Sequence, residues 1–91
     1  MPARSISLSV IIPTLNASRF LPATLAAIGD GGEIVVVDGG STDNTIELAT
    51  AHGARVVQGA AGRGQQLISG AAAARGDWLL FLHADTALER G

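Results

Sequence analysis

An α/β fold on a mainly parallel sheet is predicted by three features of this chain. Three near-continuous apolar runs, Ile6 to Ile12, Ile34 to Val37 and Trp78 to Leu82, each give way to a polar or acidic loop. Segments with helical spacing lie between them, the pattern of a sheet buried on both faces. The loops hold carboxylates (Asp38, Asp43, Asp85), Asn16, His83 and the pair Gly39-Gly40. Ligands of such sheets bind outside the carboxyl ends of the strands, so these loops are the place to look for a site.

The elements follow in order. The first strand is expected over Ile6 to Ile12, stopped by Pro13, which cannot donate to a central ladder. A helix follows with Ser18 as N-cap, Pro22 in its first turn and Leu21, Leu25 and Ile28 on one face. Gly29-Asp30-Gly31-Gly32 turns the chain into a second strand, Glu33 to Val37, whose β-branched run suits a central position. Ser41, Thr42 and Asp43 can each cap the next helix, which carries Ile46, Leu48 and Ala49 inward and ends at His52-Gly53. Arg55 to Gln58 is a short third strand. The Gly-rich stretch Gly59 to Gly64 leads into a helix from about Gln65 to Arg75, with Ala71, Ala72 and Ala74 as its packing face. Trp78 to Leu82 is the fourth strand, with Trp78 set against the core. The sum is β-α-β-α-β-α-β.

Composition narrows the function classes. Ninety-one residues make at most one domain, and a chain this short buries a marginal core. Net charge is −2, and Arg is the only strong base, with no Lys, so the basic stripe that nucleic acid requires is missing. With no Cys, neither a disulfide framework nor a Cys-based zinc site can form. The first strand is too short and too often interrupted for a signal peptide or a membrane span, which points to the cytoplasm and leaves peripheral membrane association open.

Two readings stand for each candidate residue. Asp38 ends a strand beside a helix start, where a carboxylate can accept from ribose or base or can simply cap the helix. Gly39-Gly40 permits either close approach of a ligand or a plain tight turn. Asp43 reads as a first-turn acid. Asn16 and Thr14 can touch a nucleotide, though turn chemistry explains both. Arg63 can pair with a diphosphate at the following helix start or sit in solvent. His83 and Asp85 can converge on one divalent ion, the carboxylate suiting Mg²⁺ or Mn²⁺ and the imidazole favouring Mn²⁺; otherwise they are loop residues. Gly59 to Gly64 is no Walker loop, and no Gly-x-Gly-x-x-Gly follows the first strand.

Taken together, Ser9-Val10-Ile11-Ile12-Pro13-Thr14-Leu15-Asn16, Val36-Val37-Asp38-Gly39-Gly40-Ser41-Thr42-Asp43-Asn44-Thr45 and Gly76-Asp77-Trp78-Leu79-Leu80-Phe81-Leu82-His83-Ala84-Asp85-Thr86 resemble the family 2 glycosyltransferases of GT-A fold. The Phe-Leu-His-Ala-Asp-Thr ending resembles a bacterial subgroup. The resemblance implies a Rossmann-like domain that transfers a sugar from a nucleoside diphosphate sugar with inversion, aided by a divalent metal. It assigns Pro13, Thr14, Asn16 and Asp38 to the nucleoside, with Gly39 beside them in the substrate-binding set, and His83 and Asp85 to the ribose and the metal.

Three departures from the family pattern bear on that assignment. Gly39 stands where the family usually has a second Asp, a common uracil contact, which puts uridine in question. His83 replaces the first acid of Asp-x-Asp, leaving Asp85 as the main metal ligand. Gln66-Leu67-Ile68-Ser69-Gly70 stands where Ala-Arg-Asn-x-Gly is frequent, and Arg63 is the candidate for the missing positive charge. The family's general base and acceptor pocket lie in the second half of its domain, so the base is expected beyond Gly91, and residues 1–91 read as the donor-binding part with the acceptor half absent. No residue here is assigned the base's role; Asp77 and Glu89 are nearby acids, and nothing in the sequence places either one opposite the donor. Asp38 and Asp85 are expected to finish neighbouring strands on one rim. The competing readings are a nucleotidyltransferase and a non-catalytic nucleotide-binding or subunit-interaction module. An unpaired strand edge favours association, with another copy among the partners.

Overall fold

The computed structural model describes residues 7–29, 32–59 and 62–82, apart from the side chain of Arg63. Seven elements alternate: β1 (Leu8–Thr14), α1 (Leu21–Ile28), β2 (Glu33–Asp38), α2 (Thr45–Ala51), β3 (Arg55–Gln58), α3 (Arg63–Ala73) and β4 (Trp78–Phe81). The strands form one sheet in the order β3-β2-β1-β4, and every pairing is parallel. The expected alternation and sheet are therefore present, as a Rossmann-like α/β fold.

Each face of the sheet has its own core. Val10, Ile12 and Val36 point to one side, where they pack with Leu21, Leu25 and Ala49 from α1 and α2. Ile11, Val35 and Val37 point to the other, against Leu67, Ala73 and Ala74 of α3 and its C-terminal end. The period-2 alternation of strand side chains thus feeds two layers, and this is why β1 and β2 are apolar at nearly every position.

Several local expectations are corrected. Pro13 does not stop β1, which runs on to Thr14 with Pro13 opposite Val37. The backbones of Ser7 and Ile11 bond to β4, through Trp78 and Leu82, so residues of that parity, Pro13 included, face β4 rather than β2. The last β1–β4 pair is Ile11 with Phe81, so the missing N–H of Pro13 costs the β1–β2 ladder nothing. Ser18 does not cap α1; Phe20 is the N-cap residue and makes no side-chain cap bond, while the Ser18 N–H goes to Asp43.

The packing face of α3 is Gln66, Gly70, Ala73 and Ala74, not Ala71, Ala72 and Ala74; Ala72 is exposed. Gly70 is needed there. A Cβ on it would lie 2.3 Å from Ile11 Cγ2 and 2.8 Å from Val37 Cγ2.

Trp78 does not pack into the core but is 61% exposed, and Leu79, Leu80 and Phe81 are exposed with it. β4, like β3 at the other side, is an edge strand paired on one side only. The strand order also separates two elements expected to be neighbours. β1 lies between β2, which ends at Asp38, and β4, which precedes Asp85. The chain crosses from β3 through α3 to the far side of β1, and α3 covers the face opposite α1 and α2. That reversal makes β1 and β4 the switch point of the sheet, the place where such folds open a crevice.

Candidate functional site

The parallel register lines up Thr14, Asp38 and Gln58 across three strands, so the loops after β1 and β2 and the start of α3 share one rim. Asp38 organises that rim. Its side chain is 1% exposed. Oδ1 accepts from Thr14 Oγ1 at 2.8 Å and from Ser41 Oγ at 2.5 Å. Oδ2 accepts from the N–H of Ser41 at 2.7 Å and of Gly40 at 3.0 Å. Burial pushes the carboxyl up, and the bonds from Ser41, Thr14 and Gly40 outweigh it, holding Asp38 below the usual carboxylate range. Asp38 is thus an anion whose two oxygens are both engaged in shaping the turn.

Asn16 ties this turn to the loop after β1. It adopts φ +52°, a left-handed conformation that Asn tolerates better than most residues. Its N–H donates to Ser41 Oγ at 2.8 Å. Its Oδ1 accepts from the Thr42 N–H at 2.7 Å and the Asp43 N–H at 3.3 Å. Two N–H donors on one atom identify that atom as the amide oxygen, which turns Nδ2 outward at an exposed position, with no partner among the described residues.

Asp43 closes the same clamp from the other end. It accepts from the Thr45 N–H at 3.0 Å and the Ser18 N–H at 3.2 Å, and from Thr45 Oγ1. Thr45 Oγ1 in turn accepts from the Ala17 N–H at 2.9 Å. The Thr45 hydroxyl is the main cause that lowers Asp43 to about 2. Asp43 is therefore not the first-turn acid expected of it, since it precedes the N-cap Asn44 and Glu47 takes the first-turn place; it is a bond between loops.

Of the residues singled out in the sequence, Pro13, Thr14, Asn16, Asp38 and Gly39 gather on this rim, with the Gly39 N–H on the Thr14 carbonyl at 2.9 Å. Arg63 opens α3 beside them. His83, Asp85 and the stretch on to Gly91, beyond which the general base is expected, lie outside the described residues. Among the described residues no group of three or more metal-ligating side chains occurs. A cavity of about 390 Å³ opens at the opposite end of the sheet, lined by Glu33, Ile34, His52, Gly53 and Arg55 among others. Its carboxylate, Glu33, is already held by Ser9, the Arg75 N–H and Arg55. That cavity is remote from the carboxyl rim and is not the candidate site.

Three residues of the site escape a reading of the sequence. Ser41 reads there as a cap and Thr45 only as part of a longer motif, yet each relays a bond between the two loops. Gln66 stands out only as a departure from the family pattern. It is 5% exposed, and its Nε2 donates to the carbonyls of Val37 at 2.8 Å and Thr14 at 2.9 Å. The available signal is its place at i−4 from Gly70 and i−7 from Ala73, a polar residue in line with small ones on one face of α3.

Comparison with known proteins decides the family. The model of glycosyl transferase family 2 matches residues 9–91, nearly the whole chain. This chain belongs to glycosyltransferase family 2. A PGL/p-HBAD biosynthesis glycosyltransferase of Mycobacterium tuberculosis is 44% identical over 98 aligned positions, covering 88% of this chain and 36% of that protein. An uncharacterized glycosyltransferase of the same organism is 38% identical over 86, covering 93% and 39%.

Among solved structures, glucosyl-3-phosphoglycerate synthase of M. tuberculosis superposes with a TM-score of 0.77 at 33% identity, covering 88% of this chain and 34% of that one. A complex of that enzyme with Mn²⁺, uridine diphosphate and glucosyl-3-phosphoglycerate gives 0.75 at 32% identity, covering 87% and 33%. The fold is accordingly the GT-A fold. This family 2 chain spans a little over a third of the length of the curated relatives it matches.

Proposed function

We propose that this chain is the nucleotide-sugar-binding part of an inverting glycosyltransferase that transfers a glycosyl group from a nucleoside diphosphate sugar to an acceptor bound elsewhere. The observation that carries the reading is the clamped pair of loops at the carboxyl rim, Asp38 to Thr14 and Asn16 to Thr42, in a chain matched by the family 2 model over residues 9–91.

In this reading Asp38 acts through the turn it holds, and the groups that reach the nucleoside are those left facing outward: the Asn16 Nδ2, the backbone around Gly39 and Gly40, and the surface of Pro13. Gly40 adopts φ +109° with open space where a Cβ would stand, so a flat ring can approach the main chain there. Arg63, at the start of α3, supplies positive charge to the diphosphate, and the helix N-terminus adds to it. His83 takes the ribose side.

The donor set fits a metal. One carboxylate, Asp85, with the imidazole of His83 suits Mn²⁺ or Mg²⁺ and leaves coordination positions for phosphate oxygens. When bound, such an ion neutralises the charge that develops on the departing diphosphate.

The neighbour that binds uridine diphosphate with Mn²⁺ supports both the donor class and the metal. In this reading the chain acts in the cytoplasm; no helix among the described residues is long and apolar enough to cross a membrane. The exposed edge strand β4 supports association with a further protein surface.

The test is thermal unfolding of the protein with uridine, guanosine and thymidine diphosphates, with and without Mn²⁺. A ligand at about 100 times its Kd stabilises by about 2.7 kcal/mol, a shift of roughly 10 °C or more in a domain this small. Arg63→Ala should weaken the response several-fold. Absence of any metal-dependent response to every nucleotide would overturn the proposal.

A further inference from the structure

Gln66 holds an uncommon position. In a parallel ladder a residue bonds to the two neighbours of its partner, so Thr14, opposite Asp38, exchanges bonds with Val37 and Gly39. The Gly39 N–H to Thr14 carbonyl bond is the last rung of the β1–β2 ladder. The Gln66 amide lies over the end of the ladder from the α3 side and donates to the Thr14 carbonyl of that rung and to the Val37 carbonyl of the rung before it. Both acceptors are carbonyls, which fixes the donating atom as nitrogen.

One turn further on, Gly70 brings α3 so close to Ile11 and Val37 that a side chain there would not fit. The same rung leads straight into the site. Thr14 donates its hydroxyl to Asp38, and the Asp38 carbonyl receives the Gly59 N–H at 3.0 Å. Packing at Gly70 fixes the height of α3, and hydrogen bonding at Gln66 fixes its first turn.

We propose that Gln66 is a positioning residue for the nucleotide-sugar site. By donating its two amide hydrogens to the carbonyls of the last two β1–β2 rungs, it sets the first turn of α3, where Arg63 begins the helix, against the loops that carry Thr14, Asn16 and Asp38. This rests on the reading of the rim as a nucleotide-sugar pocket. Burial alone does not account for Gln66, because the two carbonyls it reaches already have ladder donors, so a Met or Leu of similar volume would leave no acceptor without a partner.

The test compares Gln66→Met, which keeps the volume and removes the donors, with Leu67→Ala, which loosens α3 packing and leaves the rung intact. Uridine diphosphate affinity in Mn²⁺ is measured by calorimetry, and amide hydrogen exchange at Gly39 and Gly59 is measured without ligand. Q66M is expected to weaken affinity at least five-fold and to speed exchange at both glycines, with a smaller loss of melting temperature than L67A. L67A is expected to keep its affinity within two-fold. Equal loss of affinity in the two variants would overturn the proposal, as would unchanged exchange at Gly39 and Gly59 in Q66M. The exchange result stands even if the wild type binds no nucleotide, an outcome that overturns the reading of the pocket instead.

Discussion

The amide oxygen of Asn16 lies 2.7 Å from the backbone nitrogen of Thr42, 26 residues further along, and so joins the loop after β1 to the loop after β2. That contact depends on two properties of one residue, a side chain that can accept and a backbone that tolerates φ +52°. The two can be separated. Asn16→Ala removes the acceptor and strains the backbone, whereas Asn16→Gly removes the acceptor only. Both should lower stability in chemical denaturation, with the Ala variant worse by about 1 kcal/mol. Identical midpoints would show that the left-handed conformation is not enforced.

Asp38→Asn tests the central turn. The Asn oxygen can face the N–H groups of Gly40 and Ser41, and its nitrogen can face the Thr14 and Ser41 hydroxyls, which can turn to accept. Charge-assisted bonds become neutral ones, for an expected loss of about 1–3 kcal/mol. Asp38→Ala, which leaves those four donors without their acceptor, should lose more. Urea midpoints measure both, and a D38N variant as unstable as D38A would mean that the negative charge itself is what the turn requires.

Acid should unfold the protein through its paired carboxylates. A group whose folded pKa lies below its unfolded value contributes stability above roughly pH 4 and loses it as pH falls through the folded value. For Asp43 that window runs from about pH 4 down to about 2. Asp38 and Glu33 are shifted the same way, Glu33 chiefly by the Arg75 N–H. Stability measured against pH should be flat from about 7 to 5 and then decline, and Asp43→Asn should make the decline shallower. A decline of unchanged steepness in that variant would remove Asp43 from the set.

Gly70→Ala sets two effects against each other. Ala is favoured over Gly inside a helix by about 1 kcal/mol. Against that, the new methyl would stand 2.3 Å from Ile11 Cγ2, in a buried layer of β-branched side chains with little freedom to turn. Overpacking of this kind costs about 1–3 kcal/mol, so the net effect should be destabilising. Gly64→Ala is the control, since nothing stands within 4 Å of its Cβ position. If G70A gained stability as G64A should, α3 would have to sit further from the sheet.

The alternation of elements was legible because it rests on local periodicity. Val35, Val36 and Val37 announce a central strand whatever surrounds them, and β3 falls on the residues expected, Arg55–Gln58. The motifs around Asn16 and Asp38 were legible for the same reason, as short polar stretches at strand ends. Pro13 misled because the rule against proline in a ladder concerns the side to which its nitrogen points, and that side depends on which strand lies next to it. Trp78 misled because an apolar strand reads alike at the centre and at the edge of a sheet.

By itself, then, the sequence determined the α/β class, the element order, the family and the rim on which the polar loops collect, since all of these follow from patterns within a few neighbouring residues. Only the tertiary structure decided that β1 separates β2 from β4, that Asp38 has both oxygens engaged, and that Gln66 spans 52 residues to reach Thr14. The physical reason is that a hydrogen bond is settled by which groups meet in space. Strand order and helix placement bring those groups together, and neither is encoded in the spacing of any single segment.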